Sequence, residues 1–228
     1  MIAAPRAVPG PPPLPDEKAY LRTHTRRYSL LLDLVKSFGP KSILVVGPSY
    51  ESVLLREAVP GASVDTLGWE DHRFPRVEGE RHDQHDLNDL HYPELEPHDV
   101  VVCSEVIEHL HVSPVPLLRF LAGSLSPGGR LLVQTPNATA LPKRLRMLLG
   151  QNPYEPIRDQ PGNPGHFHEY TAEELREAVE AAGLEIERLV TANYFDHGSR
   201  KNRVYRALGP VLPSTLREGI TVVARSSR

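Results

Sequence analysis

The stretch HDVVVCSEVIEHL, residues 98–110, sets two carboxylates and an imidazole, Glu105, Glu108 and His109, at i, i+3 and i+4. If Glu105 opens a helical turn, all three share one face. Carboxylates at the carboxyl end of a strand suit a cationic ligand or a divalent metal. A second group lies in NPGHFHEYT, residues 163–171, with His166, His168 and Tyr170. In extended chain its two histidines face one way and Phe167 the other. The chain has 11 histidines, many groups able to exchange protons near neutral pH. His109 is the first candidate for a general base; the alternative is a helix-terminal histidine paired with Glu105. His166 and His168 come next, with a hydrogen-bonded loop anchor as the alternative for each. His82 and His85 read as surface residues of a loop.

The third chemical feature is ILVVGPSYES, residues 43–52. Gly47 closes a buried run where the backbone must turn, and a glycine there lets a ligand approach the main chain. Pro48 donates no N–H, and Ser49 and Glu51 stand where a dinucleotide fingerprint needs further glycines. Glu51 would also repel a pyrophosphate. The loop therefore excludes a phosphate cradle for NAD, FAD or ATP. A ligand without phosphate, especially one with an ammonium group, is compatible; an ordinary β–α turn is the alternative.

The elements that position these residues follow from periodicity. AYLRTHTRRYSLLLDLVKSFG reads as an amphipathic helix capped by Asp16 and stopped at Gly39-Pro40. Strands are expected at KSILVVG, ASVDTLGW, HDVVVCSE, RLLVQTP, LEIERLVTANYF and GITVVAR, with Pro127-Gly128-Gly129 as a turn. Helices are expected at SVLLREAV, PVPLLRFLAGSL and TAEELREAVEAAG, the last with Thr171 as N-cap, Glu174 closing a capping box and Gly183 as C-cap. Strands alternating with helices imply a doubly wound, mostly parallel α/β sheet with helices on both faces. Residues 1–15, rich in proline, read as a disordered tail and 16–228 as one domain. Residues 138–165 read as a cap over the strand ends, and the basic run SRKNRVYR as a solvated face or a contact for an anionic substrate or membrane.

The combination of ILVVG, HDLND, HDVVVCSEVIEHL, LSPGGRLLVQTPN and HFHEYTAEELREAVEAAGLEIERL, in that order, resembles the class I S-adenosylmethionine-dependent methyltransferases over roughly Leu30 to Arg225. The resemblance implies a seven-stranded Rossmann-like sheet and S-adenosylmethionine as cofactor. It places Gly47, Pro48, Ser49, Ser104 and Glu105 at the methionine end, with Asp86 and Leu87 on the adenine amino group and ring face. The family's ribose-binding carboxylate has no clean counterpart: Gly68 falls near it, and Glu70 or Asp71 could substitute. His166, His168 and Tyr170, with Asn137 at the start of the cap, become candidates for the acceptor pocket. Glu105, Glu108, His109 and His166 also resemble the Mg²⁺ set of small-RNA 2′-O-methyltransferases, an ion able to ionise a ribose hydroxyl. Similar stretches occur in metal-free relatives, and no metal is the first reading.

The NPYEPIRDQPGNPGHFHEYT stretch resembles that of methyltransferases of saccharide and natural-product biosynthesis, and the resemblance implies an O-methyltransferase acting on a small-molecule, saccharide or natural-product acceptor, with N-methylation next. The alternatives are a non-catalytic binding protein on the same fold and a metal-dependent RNA methyltransferase. A net charge of −3 over 228 residues argues against a nucleic-acid partner. The single cysteine, Cys103, excludes an internal disulfide framework. Without an apolar run long enough to span a bilayer, or a signal peptide at the N-terminus, a cytoplasmic location is expected. Acceptor identity and oligomeric state stay open.

Overall fold

The computed structural model describes residues 17–159 and 164–226. The proline-rich tail, the Asp16 cap and part of the 138–165 cap lie outside them. One sheet of seven strands forms among the described residues: β1 (Ser42–Val46), β2 (Ser63–Gly68), β3 (His82–Gln84), β4 (His98–Ser104), β5 (Leu125–Pro136), β6 (Leu184–Ala192) and β7 (Gly219–Ser226). Their order is β3-β2-β1-β4-β5-β7-β6. β7 runs antiparallel to both its neighbours, and the other pairs are parallel. This is the doubly wound, mostly parallel sheet that the alternating pattern implies.

Among the described residues six α-helices accompany it: α1 (Glu17–Phe38), α2 (Tyr50–Ala58), α3 (Pro114–Gly123), α4 (Leu141–Leu148), α5 (Ala172–Ala181) and α6 (Arg200–Leu208). The period of two in the strands sorts the core into two layers. Ile43, Val45, Val100 and Val102 meet Leu31, Leu34 and Val35 of α1 and Leu55 of α2. Leu44, Val46, Val101 and Cys103 meet Leu117 and Leu121 of α3 and Leu175 and Val179 of α5. Both faces are thus covered, and the ligand crevice must lie beyond the carboxyl ends of the strands.

Local details differ from the sequence expectation. Pro127-Gly128-Gly129 does not separate two elements; it is a bulge inside β5. Leu125 faces His98 and Arg130 faces Val100, so Ser126 to Gly129 stand opposite Asp99 alone, with Gly128 at φ +79°. His82 is in a strand, its Nδ1 2.9 Å from Thr66 Oγ1. Three residues are too few to show a period. SRKNRVYR is helical, with Ser199 as its cap. The α5 capping box is present as expected, but Ala182 is the C-cap and Gly183 follows it at φ +84°.

Candidate active site

Gly47 and Gly68 end β1 and β2 side by side. The Gly47 amide donates to the Leu67 carbonyl at 2.7 Å, and φ is +80° at Gly47 and +124° at Gly68. A Cβ on Gly68 would stand 3.6 Å from the Gly47 nitrogen. Two bare backbones therefore lie against each other at the strand ends. The His85 amide donates to the Gly68 carbonyl at 3.2 Å, which brings Asp86 and Leu87 to the same end. Asp86 is exposed and accepts from the Asn88 amide at 3.0 Å, while Leu87 packs against the core. Pro48, Glu70 and Asp71 share a neighbouring cavity of about 450 Å³. Asp71 is held there by Arg73, whose Nε lies 2.9 Å away, and Glu70 stays half exposed.

Glu51 is the residue whose environment the sequence reading missed. Only 3% of it is exposed, and Arg27 of α1, 1% exposed, donates from Nη1 to its Oε1 at 2.6 Å. The same nitrogen donates to Ser104 Oγ at 2.6 Å. Ser49 donates its hydroxyl to Glu51 Oε2 at 2.6 Å, so Ser49 is engaged with the protein itself. Ser104 donates onward to Gln134 Oε1 at 3.0 Å, and Gln134 Nε2 donates to Thr221 Oγ1 at 3.0 Å, which meets the Tyr194 hydroxyl. A buried polar chain thus crosses from the first loop to β7. Burial alone would raise the Glu51 pKa, but Arg27 overrides it and holds the carboxyl below its usual range. A signal existed in the sequence. Arg27 lies four residues before Leu31 on the apolar stripe of α1, and a charge on that stripe needs a buried partner.

Glu105 does not open a helical turn. Its φ is +56°, and a 3-10 turn forms at Ile107–His109 instead, so the three acidic-cluster residues do not share one helical face. Among the described residues Glu105 is the one non-glycine with positive φ. Such a conformation costs roughly 1–3 kcal/mol and is kept where it aims a side chain. Its Oε1 is buried without a hydrogen-bond partner, and burial raises its pKa against the pull of Arg27.

Backbone contacts join the remaining motifs. The Phe167 amide donates to the Glu108 carbonyl at 2.8 Å, and the Ala138 amide to the Tyr170 carbonyl at 2.9 Å. Glu108 accepts from Thr135 Oγ1 at 3.0 Å through one oxygen, while the other has no partner. Burial, then the neighbouring Glu105, pushes its pKa well up. His109 Nδ1 lies 2.9 Å from the Gly165 carbonyl rather than against Glu105. A carbonyl only accepts, so Nδ1 carries the proton and Nε2 keeps its lone pair. Burial lowers the His109 pKa, which keeps the ring neutral at neutral pH.

His166 stands beside His109, ring centroids 4.8 Å apart, yet both its nitrogens meet carboxylates: Glu169 at 3.1 Å and Glu155 at 3.1 Å. His168 does not face the same way. It is exposed, 3.5 Å from Glu174, because residues 164–169 form no strand. Asn137 is fully buried and ties the chain together, donating to the Thr215 and Arg217 carbonyls at 3.2 and 2.8 Å. Tyr170 is buried too, with a pKa raised to about 12 by burial. Lys143 of α4 pairs with Glu169 and turns inward, and burial lowers its pKa to about 8 against the pull of Glu105 and Glu108. Glu218, before β7, is raised to about 7 by burial. The sequence places Lys143 only within the 138–165 cap and singles out neither it nor Glu218.

Glu108, His109 and His166 each offer a ligand atom within 4.8 Å of the others. Glu105, the fourth member of the expected metal set, is not among them.

Comparisons with known proteins agree with this geometry. A family model described as a methyltransferase domain matches residues 24–189. Over 115 residues, 50% of this chain, the sequence is 38% identical to a protein of Mycolicibacterium smegmatis named "Probable S-adenosylmethionine-dependent methyltransferase"; the match spans 38% of that protein's length. The N-methyltransferase NodS of Bradyrhizobium japonicum, crystallised with S-adenosyl-L-homocysteine, is similar over 94% of each chain, with 14% identity and a TM-score of 0.58. The 1,6-didemethyltoxoflavin-N1-methyltransferase of Burkholderia thailandensis is similar over 93% of this chain and 82% of that one, with 13% identity and a TM-score of 0.57. At these identities the structural likeness is one of fold.

Proposed function

The chain belongs to the methyltransferase domain family, and from that premise we propose that it transfers a methyl group from S-adenosylmethionine to a hydroxyl oxygen of a small-molecule or saccharide acceptor. The observation that carries this reading is His109: its Nδ1 is fixed as a donor to the Gly165 carbonyl, which leaves Nε2 as a free base.

The residues at the strand ends suit the cofactor. Gly47 and Gly68 would let a ligand approach the main chain there, and the unpartnered Glu105 oxygen suits its ammonium group. Ser104 and Pro48 would flank the methionine side, Asp86 and Leu87 the adenine side. When bound, S-adenosylmethionine supplies an electrophilic methyl carbon whose bond to sulfur breaks as the acceptor oxygen attacks, the electron pair going to sulfur. His109 Nε2 takes the hydroxyl proton, a role worth typically 10²–10⁴ in rate. Tyr170 and Lys143 form the wall of the acceptor side, and the cap segment carrying Glu155 closes over His166. Enclosure of this kind aligns the reactants and excludes water. An oxygen acceptor is favoured over an amine because the poised base serves an acceptor that must lose its proton as it reacts.

The test combines calorimetry with S-adenosylmethionine and a panel of hydroxyl and amine acceptors scored by release of S-adenosylhomocysteine. Lack of cofactor binding would leave the non-catalytic reading; turnover of amines alone would overturn O-methylation.

A second reading rests on the Glu108, His109 and His166 group, whose spacing could hold a divalent ion that ionises the acceptor hydroxyl. The carboxylates at both nitrogens of His166 disfavour it, since one must be released to free a ligand atom. Mg²⁺-dependent turnover abolished by chelation would establish this reading over the metal-free one.

A further inference from the structure

Helix α4 is built the wrong way round for a helix that packs on its own protein. Leu141, Leu145, Leu148 and Leu149, at i, i+4, i+7 and i+8, form one apolar stripe. No residue of α4 is buried, and Leu148 and Leu149 are 82% and 74% exposed. Lys143, on the opposite side, turns inward to Glu169. Arg144 and Arg146 are exposed on the two flanks of the stripe, held by the Thr139 carbonyl at 2.7 Å and the Pro153 carbonyl at 3.5 Å.

Helix α6 repeats the pattern. Val204 and Leu208 are exposed on its outer face among Arg200, Lys201 and Arg203, and Val211 just beyond it is 79% exposed. The two segments are tied together: the Thr139 hydroxyl donates to the Thr215 carbonyl at 3.1 Å, and the Tyr205 hydroxyl to the Leu216 carbonyl at 2.5 Å. Neither 139–150 nor 199–217 contains an acidic residue, in a chain with 29 acidic and 26 basic ones. The positive charge is therefore segregated, and it is segregated around exposed leucine and valine. Beside Leu208, a cavity of about 430 Å³ is lined by Arg26, Arg206 and Arg217 together with Ala207 and Pro210. Arg206 pairs with Asp196 and also acts on the buried Glu218, and Arg217 donates to the Thr191 and Leu212 carbonyls, so three guanidinium groups line the cavity with two carboxylates near them.

We propose that α4 and the α6–Val211 segment dock on an anionic phospholipid surface, with the leucine and valine side chains entering the acyl boundary and the arginines and Lys201 at the phosphates. Apolar residues rimmed by cations are what an interfacial helix presents to such a membrane. A protein partner would need acidic groups matched to each cation, whereas a phosphate surface supplies the charge without register. Each cation near an anionic bilayer strengthens partitioning about fivefold. The proposal does not depend on the methyl-transfer reading, because binding is read without turnover.

The test is co-sedimentation of the full chain with vesicles of phosphatidylcholine alone and with about a third phosphatidylglycerol. The expected result is retention on the anionic vesicles alone, lost on adding about 0.5 M salt and weakened at least tenfold by Leu145→Ser/Leu148→Ser and by Arg144→Gln/Arg200→Gln. Unchanged denaturation midpoints will show that these exposed substitutions leave the fold intact. Equal retention on neutral vesicles, no retention on either, or double variants that bind like the parent would overturn the proposal. A dimer in light scattering that Leu145→Ser/Leu148→Ser dissolves would also overturn it, by assigning the face to a second copy.

Discussion

Replacing Arg27 with methionine tests whether the first loop is held by a buried ion pair. Arg27 and Glu51 lie 2.6 Å apart and are 1% and 3% exposed, and the same guanidinium nitrogen reaches Ser104. Arg27→Met keeps the volume but leaves Glu51 buried without its charged partner, its carboxylate still accepting from the Ser49 hydroxyl and its own backbone amide. Breaking such a pair from one side costs about 3–5 kcal/mol. In a domain of this size that lowers Tm by roughly 6–20 °C. The pH dependence has a definite sign. In the parent, the folded Glu51 value is depressed, so its stabilisation is present above the unfolded value of about 4.3 and is lost as pH falls through the folded one. In Arg27→Met, burial loses its largest opponent and the folded value rises, so the deficit is largest at neutral pH and shrinks on acidification. Urea denaturation at pH 7.5 and pH 5 measures both effects. Arg27→Met/Glu51→Leu removes both charges and should recover most of the loss. A single-variant loss below about 1 kcal/mol, or additive losses in the double variant, would refute the argument.

Other outcomes follow from the same geometry. Glu105→Gly removes a strained φ of +56° and a buried carboxylate, so it should raise or preserve stability while weakening S-adenosylmethionine binding at least tenfold by calorimetry. His109→Gln should lower kcat by about 10²–10⁴ with little change in cofactor affinity. In the parent, kcat should fall on acidification through a pKa below the ordinary histidine value of about 6.5, because burial depresses His109 and only the neutral ring can take a proton. Gly47→Val places a branched side chain at φ +80°, where it is strained, and should abolish cofactor binding; retained binding in calorimetry would remove this loop from the site.

How far the sequence reached depends on the range of the interactions involved. The sheet was legible because its signals are local: unbroken apolar runs in Ile43–Val46 and Val100–Val102, the Thr171 capping box, and apolar stripes in α1 and α5. The family resemblance drew on the same short motifs and is borne out by the methyltransferase domain match. What stayed hidden is long-range or non-periodic. Glu51 reads in sequence as a charge that would repel a ligand, and only the contact with Arg27, 24 positions away, makes it a structural group. Glu105, Glu108 and His109 have helical spacing, yet parallel pairing continues to Ser104 and the Glu105 amide donates to the Gln134 carbonyl at 2.9 Å, so the chain leaves β4 through a left-handed residue. That one φ separates Glu105 from the other two. One Glu105 oxygen then stays buried without a partner, and His109 is turned to Gly165, 56 positions along the chain, which sets its tautomer. Spacing thus identified residues able to do chemistry, but the division we propose, Glu105 to bind charge and His109 to act as base, rests on backbone geometry that spacing does not encode.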